Sequence, residues 1–146
     1  MPMLNPSASR PLRSFRIYSE PNHQHVGDVL FILAVTYHQQ GRYAEAEPLY
    51  KQTLAIREEV FGEDHTKFAD SLSNLAWMYT EQGRYEDAEP LYKRALAIIE
   101  QTFGTEHIEY AKLIIGLASL FDNQGRYEEA EQHLKTFFAF DEKKLG

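Results

Sequence analysis

Regularly spaced histidines are the first residues whose type could do chemistry, because imidazole nitrogens bind zinc. His23, His65 and His107 recur at equal intervals (65 − 23 and 107 − 65, both 42). Residues that far apart in the chain are not expected to share an ion at the ligand distance of about 2.0 Å that zinc requires. We therefore interpret each as a turn residue that packs or hydrogen-bonds near a helix start. His23 with His25 is left as an alternative, weak metal site, and we predict no metal centre.

Acidic pairs are the second candidate for chemistry, since two carboxylates can act as general acid and base. Glu45 and Glu47 form one such pair, and Glu128 and Glu129 form another. Equivalent pairs stand at the same place in each repeat described below, whereas catalysis needs one site. We interpret them as solvated helix starts. The sequence has no nucleophile elbow, phosphate loop or His-Glu metal motif, so we predict a protein that is not an enzyme and needs no cofactor.

The charge and composition exclude several other classes. With 15 Lys and Arg against 22 Asp and Glu, the formal net charge is −7, which disfavours binding to nucleic acid. There is no cysteine, hence no disulfide, and no apolar run approaches the roughly 20 residues of a membrane span. We expect a soluble protein of the cytoplasm that does not contact a membrane.

A repeat organises most of the chain. The segment Gln-Gly-Arg-Tyr begins at Gln40, Gln82 and Gln124, so the period is 42 residues (82 − 40 and 124 − 82). The match extends further, since Ala-Glu-Pro-Leu-Tyr-Lys occurs at both 46–51 and 88–93. We predict one domain over residues 23–146, with repeats at about 23–64, 65–106 and 107–146, after a flexible leader at 1–22. The alternative for the leader is an organellar transit peptide, although its prolines would interrupt the helix that such peptides form.

Each period has the pattern of two helices. Apolar residues at i, i+3, i+4 and i+7 mark one face of the first helix. These residues are Leu30, Leu33, Ala34 and Tyr37, then Leu72, Leu75, Ala76 and Tyr79, then Ile114, Leu117, Ala118 and Phe121. The Gly of each Gln-Gly-Arg-Tyr segment stands where a helix ends on a left-handed residue. Neither helix can bury its apolar stripe alone, so the pattern predicts an all-α solenoid of about six helices.

The constellation resembles the tetratricopeptide repeat, in its 42-residue form similar to kinesin light chains and bacterial arrays. In the second repeat it comprises a large apolar residue, Leu-Ala and an aromatic in the first helix, Gly and Tyr at the turn, then Ala, an aromatic and Ala in the second helix. These are Leu72, Leu75, Ala76, Tyr79, Gly83, Tyr85, Ala88, Tyr92 and Ala95. The resemblance implies a superhelix whose first helices line a concave groove that binds a peptide or protein segment, without catalysis.

Twelve positions of the first helices match the groove-lining sites of that family. They are Asp28, Phe31, Val35 and His38, then Asp70, Ser73, Trp77 and Thr80, then Lys112, Ile115, Ser119 and Asp122. Four of them are apolar or aromatic, and Trp77 is the leading candidate for a contact residue. The alternative is that Phe31 and Trp77 only pack between adjacent repeats. Because Lys112 is the one basic residue of the set, we expect an apolar or basic partner segment and no clamp for an acidic tail.

The end of the array offers a second function. Phe137 stands where the earlier repeats have Thr53 and Ala95, so a fourth repeat is not expected to pack in the same way. Phe137, Phe138 and Phe140 then form an apolar face at the C-terminal end. Because terminal repeats normally need a polar cap, we expect this face to be covered by self-association, as in a homodimer, or by the leader. A structural function through self-association is therefore the alternative to peptide binding.

Overall fold

The computed structural model describes residues 23–145, with side chains described for residues 23–138. The predicted leader and the side chain of Phe140 lie outside the described parts. Six α-helices follow one another: α1 (His23–Gln39), α2 (Tyr43–Phe61), α3 (Thr66–Glu81), α4 (Tyr85–Phe103), α5 (Ile108–Asn123) and α6 (Tyr127–Leu145). Each period contributes one pair, which confirms the predicted all-α class and the helix count. The chain divides into two compact units, the first ending at Gly62 and the second beginning at Glu63.

The first unit is the hairpin of α1 and α2. Its centre consists of Ala34 on α1 with Ala46, Tyr50 and Ile56 on α2, all buried. Gly27 allows the two helices to approach, because a Cβ at this position would lie 3.1 Å from Cγ2 of Ile56. The predicted core stripe of α1 is only partly realised: Ala34 is buried, but Leu33 is exposed.

The second unit contains α3, α4, α5 and α6, each packed on the next, with α3 also in contact with α5. Its core follows the predicted stripe closely. The buried members of that stripe are Leu72, Leu75, Ala76, Tyr79, Ile114, Leu117, Ala118 and Phe121. Between the second and third repeats, α5 packs on α4 with Gly116 against the ring of Tyr92, where a Cβ would lie 3.0 Å from Cε1.

Glycine ends every first helix, as predicted. Gly83 has φ 77°, the left-handed conformation that costs glycine nothing, and Gly41 and Gly125 have φ of 76° and 77°. Gly104 closes α4 with φ 82° and ψ −177°, and its N–H donates to the carbonyl of Glu100. That conformation is almost restricted to glycine, which explains why the Phe-Gly pair recurs after each of the first two hairpins.

Two of the three histidines at 42-residue spacing, His65 and His107, act as helix caps. Nδ1 of His65 accepts a hydrogen bond from the N–H of Lys67 at 3.0 Å, and Nδ1 of His107 accepts one from Glu109 at 3.1 Å. Each satisfies a backbone donor that the first turn of a helix leaves unpaired. This confirms the interpretation of these two residues as hydrogen-bonding turn residues.

The arginine of the repeated turn joins the two helices of each pair. The guanidinium of Arg84 lies 4.1 Å from the ring centroid of Tyr79 and donates to Asp87 at 3.0 Å. Arg42 lies in the same way over Tyr37, and its hydrogen bond to Glu45 lowers the pKa of that carboxyl. The acidic residues at the helix starts therefore hold this arginine, which supports their interpretation as structural.

Candidate protein interaction surface

Trp77 is the largest side chain that α3 leaves in contact with solvent. Its neighbours Leu75, Ala76, Met78 and Tyr79 are all buried, whereas Trp77 is 48% exposed. The four buried residues anchor α3 in the second unit and thereby fix which side of the helix carries the indole. Trp77 is thus not a core residue.

On α5, Ile115 is an exposed apolar residue one turn before Ser119, the repeat counterpart of Trp77. It is 59% exposed although the preceding residue, Ile114, is buried. Lys112, one turn earlier, is exposed and forms an ion pair with Glu109 at 3.6 Å. Ser119, one turn later, is exposed as well.

Polar residues complete the surface at both ends of these helices. Asp70 is exposed at the start of α3, and its carbonyl accepts a hydrogen bond of 3.1 Å from the hydroxyl of Ser73. Asp122 is exposed at the end of α5. We call the following seven predicted residues the α3/α5 surface: Asp70, Ser73, Trp77, Lys112, Ile115, Ser119 and Asp122.

Two predicted groove residues do not belong to any exposed surface. Thr80 is 8% exposed, and its hydroxyl donates to the carbonyl of Ala76 at 2.8 Å. It also hydrogen-bonds Tyr92, whose pKa burial raises to about 12. His38, the equivalent residue of the first unit, is buried and shares a hydrogen bond of 2.9 Å with the hydroxyl of Tyr50. The burial of both side chains disagrees with a place in a solvent-open groove, because each is hydrogen-bonded to a tyrosine on the second helix of its own hairpin.

In the first unit, two of the predicted residues, Asp28 and Phe31, contact Arg57. Its guanidinium donates to Asp28 at 3.1 Å and lies 4.4 Å from the ring centroid of Phe31. The ring of Phe31 also meets Tyr50 edge to face, at 6.2 Å between centroids. Phe31 and Val35 are half-buried. The alternative of a packing role therefore describes Phe31 better than Trp77, although the packing is within its own hairpin.

Arg57 was missed by the sequence analysis, although the repeat carried a signal for it. It is buried in the second helix of the first unit, at the position that the buried Ile99 occupies one period later. A basic residue at an apolar position of a repeat indicates a local ion pair, because a buried charge requires a partner.

The two ends of the described chain expose apolar side chains. On α6, Phe138 is 60% exposed, Leu134 is exposed and Phe137 is half-buried. On α1, Val29 and Ile32 are both exposed. None of the helices between residues 23 and 145 has the length and apolar character that crossing a membrane requires.

Paired antiparallel helices with a glycine turn and a 42-residue period define a helical-hairpin repeat protein. The model of the tetratricopeptide repeat family matches residues 26–101 and 67–143. The chain therefore belongs to the tetratricopeptide repeat family, whose repeats generally mediate contacts between proteins and typically form scaffolds that are not enzymes.

Solved structures share this fold. The chain is similar to BtubC (BKLC) from P. vanneervenii, with 20% identity and a TM-score of 0.76 over 90% of the chain. It is also similar to the nearly identical TPR-like repeats of a candidate kinesin light chain from Podosopora anserina, with 26% identity and a TM-score of 0.75 over 87% of the chain. A single-residue variant of the latter gives 25% identity and a TM-score of 0.72 over 88% of the chain.

The chain is shorter than these neighbours, since the match covers 54% of BtubC and 59% of each Podosopora anserina structure. A comparison with curated protein sequences gives no significant match.

Proposed function

We propose that the chain is a protein interaction module that binds a peptide or protein segment on the α3/α5 surface. The observation that carries the proposal is the half-exposed Trp77, held between buried neighbours. Exposed tryptophan is costly to leave in water and is enriched among residues that dominate binding energy. Its packing on a rigid helix means that little conformational entropy is lost when a partner contacts it.

The partner's chemistry follows from the residues around the indole. Ile115 adds exposed apolar area on the neighbouring helix. Asp70 and Asp122 give the surface two exposed acidic residues against one exposed basic residue, Lys112. An apolar segment that also carries Lys or Arg fits this surface better than an acidic segment.

Selection of random peptides for binding to the full chain, followed by measurement of their affinity for variants, tests the proposal. We expect Trp77→Ala to lower the affinity for the selected peptides at least about tenfold, as truncation of a central aromatic contact does. The free energy of unfolding, measured by thermal denaturation, should change by only about 1 kcal/mol, since the side chain is half-exposed. Tyr127→Ala is the matched control, because Tyr127 is an exposed aromatic outside this surface.

The proposal fails if Trp77→Ala strongly destabilises the chain while the affinity for the peptides is retained. It fails equally if Tyr127→Ala and Trp77→Ala weaken binding alike, since the binding would then be unspecific. Exchanging Asp70 and Asp122 for Asn should reduce the preference for basic over neutral peptides without changing the binding of purely apolar ones.

Self-association through Phe137, Phe138 and Phe140 is a second proposal. The exposed ring of Phe138 and the exposed Leu134 favour it, because they leave apolar area at the end of the described chain.

A further inference from the structure

The junction between the second and third repeats shows how one repeat of this chain receives the next. Gly116 of α5 lies against the ring of Tyr92 of α4. Arg126, in the turn after α5, donates to Glu89 of α4 at 2.7 Å. The junction therefore combines an apolar contact with an ion pair, and both lie inside the second unit.

The first repeat carries residues equivalent to those that α5 and its following turn contribute to this junction. Two periods before Gly116 and Arg126 stand Ile32 and Arg42. Ile32 is 64% exposed on α1, and Val29, the counterpart of the buried Leu113, is exposed as well. Arg42 is exposed, and its described ion-pair partner is Glu45 of its own hairpin. We call Val26, Val29 and Ile32 the α1 end face.

The third repeat carries residues equivalent to those that α4 contributes to this junction. One period after Tyr92 and Glu89 stand Leu134 and Glu131. The side chain of Glu131 is 67% exposed and pairs with Lys135 of its own helix, just as Glu89 pairs with Lys93. We call Leu134, Phe137 and Phe138 the α6 end face.

The two end faces differ from the internal junction in the sizes of their side chains. At the internal junction a small residue, Gly116, meets a large one, Tyr92, whereas at the ends the corresponding residues are Ile32 and Leu134, both of medium size. The short turn between α4 and α5 makes these helices antiparallel, so one turn away Leu113 stands opposite Ala95. Its counterpart at the ends is the smaller Val29 opposite the larger Phe137. At both pairs the two side chains together are larger at the end faces than at the internal junction, so the two end helices must lie further apart than α4 and α5 do.

From these relations we propose that the chain associates head to tail with a second copy of itself. The α1 end face of one copy packs on the α6 end face of the next, and Arg42 of the first pairs with Glu131 of the second as Arg126 pairs with Glu89. Such a contact uses two different surfaces, so it forms open chains or rings of copies and not a closed symmetric dimer. The inference deepens the second proposal and does not depend on peptide binding at the α3/α5 surface.

Charge exchange tests the pairing of Arg42 with Glu131. Sedimentation velocity over a range of concentrations should show reversible association of the full chain. Arg42→Glu and Glu131→Arg should each weaken association about tenfold or more, because each places like charges at the contact. The double variant, and an equimolar mixture of the two single variants, should regain it. Glu106→Arg is the control for Glu131→Arg, since it makes the same charge change at an exposed residue between α4 and α5.

Variants that place a charge at apolar positions distinguish this contact from other modes of association. Ile32→Asp should abolish assembly, whereas Ile115→Asp, at a similarly exposed isoleucine on the α3/α5 surface, should leave it unchanged. Loss of assembly in Phe138→Asp but not in Ile32→Asp would show a symmetric contact between α6 end faces, which overturns the head-to-tail arrangement and keeps self-association. A chain that remains monomeric at every concentration, or a double charge variant that fails to regain assembly, would also overturn it.

Discussion

Arg126 donates to the carboxylate of Glu89 at 2.7 Å and thereby joins the turn of the third repeat to the second helix of the second repeat. The same guanidinium pairs with Glu129 at 2.6 Å and lies 4.3 Å from the ring centroid of Phe121. One arginine therefore connects α4, α5 and α6 of the second unit. This arrangement gives the unit a measurable response to pH.

We predict that Glu89→Gln reduces the loss of stability in acid. The hydrogen bond from Arg126 lowers the pKa of Glu89 below its ordinary value of 4.5. A carboxyl with a lowered pKa stabilises the fold above its unfolded-state pKa, and that contribution disappears as the pH falls through the lower, folded-state value. At neutral pH the variant should lose up to about 1 kcal/mol, the range of solvent-accessible ion pairs.

Urea unfolding followed by circular dichroism between neutral pH and pH values below the ordinary pKa of glutamate measures this difference. Glu106→Gln, at an exposed site without a described ion pair, is the control. Equal acid sensitivity in wild type and Glu89→Gln would mean that the ion pair does not contribute to folding.

We predict that Gly116→Ala destabilises the chain although alanine favours helices. Alanine gains about 1 kcal/mol over glycine within a helix. The new Cβ, however, would lie 3.0 Å, 3.2 Å and 3.3 Å from Cε1, Cζ and the hydroxyl oxygen of Tyr92. Because the ring is buried and cannot withdraw, overpacking should cost about 1–3 kcal/mol and outweigh the gain.

A double-mutant cycle with Tyr92→Leu measures this clash. When Gly116→Ala is combined with Tyr92→Leu, the glycine exchange should become neutral or stabilising, since the ring atoms that oppose the Cβ are absent. A stabilising effect of Gly116→Ala in the wild-type background would contradict the described packing of α5 on α4.

We predict that both capping histidines contribute to stability. His65→Ala removes a hydrogen bond to the N–H of Lys67 and should cost about 1 kcal/mol, as other lost caps do. His107→Ala should cost about 1 kcal/mol or more, because it removes a cap and also the stacking of the imidazole on Phe103 at 4.0 Å between ring centroids. Thermal unfolding of wild type and of both variants measures these losses of stability. His65→Asn, which keeps a capping acceptor, should have a stability close to that of wild type.

The repeat made much of this fold predictable. The 42-residue period, the glycine ends at Gly83 and Gly104 and the capping role of His65 follow from local rules of helix geometry. Burial of individual positions followed less well. His38 and Thr80 share the spacing of surface residues, but a hydrogen bond to the tyrosine hydroxyl of the second helix fixes each of them inside its hairpin.

The exposure of α1 was not predictable from its helical period. Leu33 has the same phase in the repeat as Leu75 and Leu117, yet only the latter two are buried. Periodicity identifies the apolar face of a helix, whereas burial also depends on which neighbouring helix covers that face. For Trp77, by contrast, the predicted phase and the described exposure agree, although its role in binding stays a prediction.

Trp77 is the one tryptophan of the sequence, so its fluorescence reports on the proposed surface without a label. Titration of the full chain with a selected apolar and basic peptide, monitored by tryptophan emission, tests the central claim most directly. We predict a saturable shift to shorter wavelength, because the peptide removes the half-exposed indole from water. Binding of the same peptide, detected by polarisation of a dye on the peptide, without any change in the emission of Trp77 would contradict the account.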